Sequence, residues 1–425
     1  MSCDVVIIGA GVAGLAAAGV LARAGKSMLC LEARNRIGGR ILTVHDPLSP
    51  AVIELGAEFI HGRPPALWNL IRDHHLLAYE HGAEAWHLHN GHAEKEKQVG
   101  QVADRVLSKM GKSRRKKDET FGNYLRHSQQ PSRAAAWARL QIEGFNAAPP
   151  DRVGAAALKR DADAAGKIEA DRMYRIANGY EAVPAALLRG IPNHGSVLRL
   201  NTVVHAVEWR RGHAVVRYRS TLDHHELSAD CKSVIVTVPL GVLKSSEGIT
   251  FDPEPRAILR AVAALEMGHV DRLTFRFREP FWEENEKIKK AAFLISNDSP
   301  FMTWWTSYPV IAPILTAWSA GSRADSLGER SSGALADEGL ASLARMLRRR
   351  IPTPEAVYFH DWQADPFSRG AYSYVPAGST RTALSKSVEG TLFFAGEAAS
   401  RNGRGGTVDG AIESGVRAAE AILRS

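Results

Sequence analysis

The sequence predicts an α/β fold in which a parallel-sheet domain is interleaved with a second, α+β domain. Three observations lead there. An apolar run at 5–8 enters a glycine-rich turn, an Ala-rich helical pattern follows to Ala24, and a second apolar run ends in the acid Glu32, the order of a strand, a turn, a helix and a strand. Strand patterns return far along the chain, at 197–209, 214–218 and 234–238, and again at 392–394. Between them the character changes twice: 64–175 carries apolar residues at helical spacing, and 251–364 mixes amphipathic helix with alternating strand. The first domain is therefore expected to comprise 1–63, 176–250 and 365–425, and the second 64–175, mostly helical, with 251–364.

The glycines of the first turn have separate jobs. Gly9 permits the tight turn, Gly11 lets the backbone approach a pyrophosphate, and Gly14 lets the helix pack close on the strand. Phosphates would rest on the free N–H groups at the helix N-terminus, where the macrodipole favours negative charge. Glu32, eighteen residues past Gly14, stands where an acid binds a ribose hydroxyl. The stretch reads as a Rossmann-like dinucleotide site and, alone, leaves nicotinamide and flavin both open. The run 53–62 (IELGAEFIHG) places small residues where backbone could press against a flat ligand, and Trp137, Leu140 and Ile142 recur at helical spacing. Amphipathic patterns at 258–265 and 335–350 flank an alternating run at 273–277 and a Trp-rich run at 304–318, and 406–423 reads as a helix entered through glycines.

At roughly 150 residues per domain, a chain of 425 residues calls for two or three. Hydrophobic content of 45% and charged content of 24% exclude wholesale disorder. No segment approaches the roughly 18 apolar residues that cross a bilayer. The glycine motif begins close to Met1, so no signal peptide is expected and the chain is read as cytoplasmic. Cys3, Cys30 and Cys231 are scattered, with neither disulfide nor zinc spacing, and no metal is expected. Within the net charge of +8, Lys109, Lys112, Arg114, Arg115, Lys116 and Lys117 form one basic run, read as a solvated segment rather than a nucleic-acid site.

Residues beyond the first motif add a resemblance. The chain resembles the flavin-dependent amine oxidases, the group of monoamine oxidases, polyamine oxidases and lysine-specific histone demethylases, in four blocks along nearly its whole length. The opening motif runs on through Ala33 and Arg34 to Gly38, Gly39 and Arg40. Gly56, Ala57 and Glu58 lead to His61, which matches a histidine of some polyamine oxidases. The third block is 236–243 (VTVPLGVL) with its lead-in at 200–204, where Val204 falls at the adenine end. The last is 392–415, with Gly396, Glu397, Thr407 and Val408. The resemblance implies non-covalent FAD, with Glu397 near the ribityl and pyrophosphate region; a buried acid capping a neighbouring turn is the competing reading. A helix starting near Thr407 and Val408 would aim its N–H groups at the flavin pyrimidine oxygens, and Arg40 can bond phosphate.

The same resemblance implies that a hydride passes from the carbon beside an amine nitrogen to flavin N5, that the imine hydrolyses, and that O2 reoxidises the flavin to give H2O2. A small amine or polyamine is the expected substrate. An alkylamine has a pKa near 10, so an apolar, aromatic site that desolvates it favours the neutral form that reacts. Tyr372 matches one wall of an aromatic cage, with Tyr374 as the alternative packing residue, and Thr407 stands where the other wall is usually aromatic. Ala371 replaces the cysteine that links flavin in monoamine oxidases. Arg272 occupies the place of a family lysine that holds a water on N5, and arginine, permanently charged and planar, is no equivalent. Lys244 is a less suitable substitute, expected in solvent. His61 could orient substrate or relay a proton near neutral pH, and Trp304 and Trp305 are candidates for the pocket wall. Two other classes fit parts of the sequence: a related flavin enzyme acting on carbon bonds, desaturase-like, and a flavin-bearing interaction protein docking through 109–117.

Overall fold

The computed structural model describes residues 2–89, 92–95, 106, 110, 118–128, 131–192, 198–297 and 299–425. An eight-stranded sheet organises one part of the chain. Ser2–Ile8 lies between Met28–Leu31 and Glu226–Val236, parallel to both. Leu198–Arg199 extends the Met28–Leu31 side, and Leu392–Phe394 joins the far end of Glu226–Val236, both in parallel. An antiparallel meander, Thr202–Arg210 and His213–Ser220, leads on to Thr250–Asp252. Val5, Val6, Ile7 and Ile8 are all buried, as a parallel strand covered on both faces requires.

The helix Val12–Arg23 packs on this sheet and against the helix Val408–Arg424. Their crossing is close because small residues meet there: a Cβ on Gly415 would stand 2.0 Å from the Ala13 carbonyl oxygen. In the same first turn a Cβ on Gly14 would stand 2.0 Å from the Gly9 carbonyl oxygen, and Gly9 itself has φ +102°. The turn therefore closes only with glycine at both places.

A second, seven-stranded sheet runs in the order Ala356–Phe359, Val270–Arg276, Ile314–Ala320, Thr303–Trp305, Phe293–Ile295, Ala85–His89, His92–Lys95. The helix Ser332–Leu347, capped by the Ser331 hydroxyl on the Ala334 N–H, lays Leu335 and Leu343 against Leu273, Phe275 and Trp304 on one face. Along Val270–Arg276 the alternation puts these apolar residues on that face and Arg272, Thr274 and Arg276 on the other.

The stretch 64–175, expected to be mostly helical, contains the helices Pro65–Asp73, Phe121–His127, Ser132–Asn146 and Ala155–Gly166. It also contributes the hairpin Ala85–His89 with His92–Lys95 to the second sheet, and Ala78–Glu80 to a small sheet with Met173–Ile176 and Ile60–His61. Apart from Met110, the basic run 109–117 lies outside the described residues. No helix among the described residues is long and apolar enough to cross a membrane.

Candidate active site

One cavity of about 1210 Å3 threads between the two sheets and is lined from both ends of the chain. At one end the walls are bare backbone. Gly9, Gly11, Ala33, Gly39 and Val204 line it; a Cβ on Gly11 would meet no protein atom within 4 Å, and one on Gly39 would face Gly11 at 3.6 Å. This is the trough a pyrophosphate needs, at the N-terminus of the first helix. Gly14 stays behind the wall, in contact with Gly9. The Glu32 carboxylate accepts from the Ala10 N–H at 2.8 Å and the Arg34 N–H at 3.0 Å, which fixes it at the cavity edge. Arg34 turns its guanidinium to Asp365 at 2.7 Å and Ser368 at 2.9 Å, so it clamps the rim to a distant segment.

Further along, Glu397 ties three stretches together. It accepts from Arg40 Nη1 at 3.1 Å, from the Ser373 N–H and hydroxyl at 3.2 and 2.6 Å, and from the Gly406 N–H at 3.0 Å. Burial pushes its carboxyl up, but the Arg40 and Arg381 charges and the Ser373 hydroxyl outweigh this and hold it below the usual glutamate value. The helix Val408–Arg424 presents its N-terminal turn to the cavity beside Gly396, with Thr407 and Val408 in the lining. Thr407 caps that helix, accepting from the Gly410 N–H at 3.1 Å and donating to the Arg404 carbonyl at 2.8 Å.

Gly56 and Ala57 line the middle of the cavity and pass so near Arg40 that a Cβ on Gly56 would stand 2.0 Å from its carbonyl oxygen. Glu58, expected among the cofactor ligands, has another task. Its carboxylate is shared between Arg175 at 2.6 Å and Arg272, and accepts from Trp305 Nε1 at 3.1 Å. Arg272 is buried, donates to the Gly56 carbonyl at 2.7 Å and lies over Trp305, and among the described residues its Nε has no partner. Two buried cations thus share the Glu58 carboxylate, and the buried Glu54 carboxyl, pushed up to about 7 by burial, also acts on Arg272. Lys244 is exposed, as expected, and donates to the Leu265 carbonyl at 2.7 Å and to Glu266 at 3.1 Å.

The remaining walls are aromatic. Tyr372 lines the cavity beside Gly406 and donates its hydroxyl to the Phe145 carbonyl at 2.9 Å. Trp305 lines it; Trp304 does not. Strand alternation turns Trp304 the other way, into the core on Phe275, with its Nε1 on the Phe301 carbonyl. His61 lines the cavity edge-on to Phe145 at 5.0 Å, and among the described residues its ring makes no hydrogen bond. Burial, helped by the Arg404 charge, lowers its pKa to about 4. It is uncharged at neutral pH, against the expectation of a group titrating there. The helix Ser132–Asn146 supplies a wall that sequence reading left unassigned: Trp137, Leu140, Gln141, Gly144 and Phe145 all line the cavity. Their spacing of three and four residues is one helix face, a signal already visible at Trp137 and Leu140.

A doubly lined cavity with a nucleotide trough at one end and an aromatic chamber at the other defines a class, and comparison names it. The family model for flavin containing amine oxidoreductases matches residues 12–423, and the chain belongs to that family. Amine oxidation with a flavin is the activity that membership carries. Polyamine oxidase 3 of Oryza sativa subsp. japonica is 28% identical over 455 residues, covering 98% of this chain and 88% of that protein. Among solved structures, wild-type putrescine oxidase bound to putrescine superposes with a TM-score of 0.84 at 23% identity over 100% of both chains. Cyclohexylamine oxidase from Brevibacterium oxydans IH-35A gives 0.82 at 20% identity over 99% of both. At these identities the two structures speak for the fold.

Proposed function

We propose that the chain binds FAD without a covalent link and uses it to oxidise a small amine or polyamine, with O2 as the electron acceptor. One observation supports the reading above all: a single cavity joins Gly9, Gly11 and Glu32 at one end of the chain to Glu397, Thr407 and Val408 at the other, so a ligand with both a nucleotide and a ring half spans it. Cys3, Cys30 and Cys231 are absent from its lining, and Ala371 offers no thiol beside Tyr372, which favours non-covalent binding.

When bound, FAD supplies the acceptor for a hydride from the carbon beside the amine nitrogen. The chain's own residues prepare that transfer. Arg40 and Glu397 fasten the first block to the last and leave the first-turn N–H groups of the final helix facing the ring end, where they favour negative charge. Tyr372, Trp305 and the face of the helix Ser132–Asn146 exclude water, so an amine enters more readily uncharged than as an ammonium. His61, itself uncharged, is a hydrogen-bonding group at the same chamber.

Mixing the purified holoprotein anaerobically with a panel of amines tests the reading; bleaching of the visible flavin band by at least one is expected, and no bleaching by any would sink it. Acid precipitation should leave the yellow colour in the supernatant with the mass of FAD, and admission of air should restore the band with formation of H2O2.

A further inference from the structure

The arginines that line the cavity stand against carboxylates, with one exception. Arg34 is on Asp365 at 2.7 Å, Arg40 on Glu397 at 3.1 Å, Arg381 on Glu397 at 4.0 Å, Arg369 on Glu247 at 2.5 Å, and Arg272 on Glu58. Arg219 lines the same cavity and is exposed, and among the described residues its guanidinium has no ion pair, hydrogen bond or ring contact. Its register partner on the next strand is an acid, Glu226, but that carboxylate is bonded to His205 at 2.8 Å. A guanidinium left free in a wall where the others are paired is available to a ligand.

Backbone bonds fix where this cation stands. The Glu32 N–H donates to the Arg199 carbonyl at 2.9 Å, the Asn201 N–H to the Arg34 carbonyl at 2.9 Å and the Thr202 N–H to the Glu32 carbonyl at 2.8 Å. Residues 199–202 are thereby fastened alongside the acid at the cavity edge. The Thr221 N–H donates in turn to the Asn201 carbonyl at 2.8 Å, and the turn after His213–Ser220 closes through the His224 N–H on the Ser220 carbonyl at 3.1 Å. Thr202, Val203, Val204, Arg219, Thr221 and His224 so form one patch of the lining, in which Arg219 is the register partner of Val203. The order of parts in a dinucleotide assigns that patch: pyrophosphate over Gly9 and Gly11, ribose at Glu32, and the base beyond the ribose. Phosphate is already served by the N-terminus of the first helix. What a flat, uncharged base needs is apolar surface and a plane to stack on, and valines beside a weakly hydrated guanidinium provide both.

We propose that Arg219 is a cofactor-binding residue that stacks its guanidinium on the adenine of FAD, and that preference for FAD over FMN, which lacks the adenylate half, is set in part at this turn. This rests on the FAD reading. The test equilibrates purified holoprotein with mixtures of FAD and FMN, releases the bound flavins with acid and measures each by mass. The wild type should hold FAD in preference. Arg219→Ala should lower the bound ratio of FAD to FMN, at equal free concentrations, about tenfold, the size of one cation on a ring face. General loosening of the fold would weaken both flavins alike and leave the ratio unmoved. Arg219→Lys, which keeps the charge and loses the plane, should recover only a small part of the ratio. An unchanged ratio in Arg219→Ala, full recovery in Arg219→Lys, or a wild type that holds the two flavins equally overturns the proposal while leaving flavin binding standing. Retention of neither flavin by the wild type overturns both this proposal and the FAD reading.

Discussion

His61 shows how a residue's chemistry is decided by what surrounds it. Its folded pKa of about 4 lies below the unfolded 6.5, so folding favours the uncharged ring. That contribution is complete above pH 6.5 and is withdrawn as pH falls towards 4, for a total of at most about 3 kcal/mol. The melting temperature of the holoprotein should therefore decline more steeply from pH 6.5 to 4.5 in the wild type than in His61→Asn; parallel curves would show that the ring is not held uncharged by the fold. The sequence signalled a histidine beside a small-residue strand and no more, because burial and the Arg404 charge come from elsewhere. Arg272 was equally opaque. Its departure from lysine could be read, but its partner Glu58 lies 214 residues away, and no local pattern announces that pairing.

At the scale of elements, local signals were read well and remote ones poorly. The strand, turn and helix of 2–23 follow from the glycines and the apolar runs around them, and Leu392–Phe394 was visible as a short buried strand. The hairpin 85–95 was not, since its alternation is weak and its partner, Phe293–Ile295, comes some 200 residues later. Trp304 and Trp305 are one chemical signal; the strand's alternation sends one inward to the core and the other to the cavity. The glycine turn permits a sharper test. Gly14→Ala puts a methyl on the Gly9 carbonyl and should cost about 1–3 kcal/mol or more even without flavin. Gly11→Ala has an ordinary backbone, φ −69°, and no protein neighbour, so it should leave the flavin-free protein's melting temperature unchanged while the flavin content on purification falls. Equal destabilisation by both would contradict this division of labour.

Across the whole molecule, the cavity is lined by segments from both ends of the chain, and whatever fills it adds to the contacts that hold them together. Added FAD at about 100 times its Kd should stabilise flavin-stripped protein by about 2.7 kcal/mol, seen in calorimetry as a midpoint raised by a few degrees; an unmoved midpoint would deny the cavity this cofactor. The packing of Val12–Arg23 on Val408–Arg424 has a further consequence, which concerns synthesis. The first helix is buried over most of its surface, and one of its principal partners is nearly 400 residues downstream. At about 5–20 residues per second, a ribosome needs roughly 20–80 s to deliver it. For that interval the part of the Ala-rich helix that this partner covers is left to solvent or a chaperone.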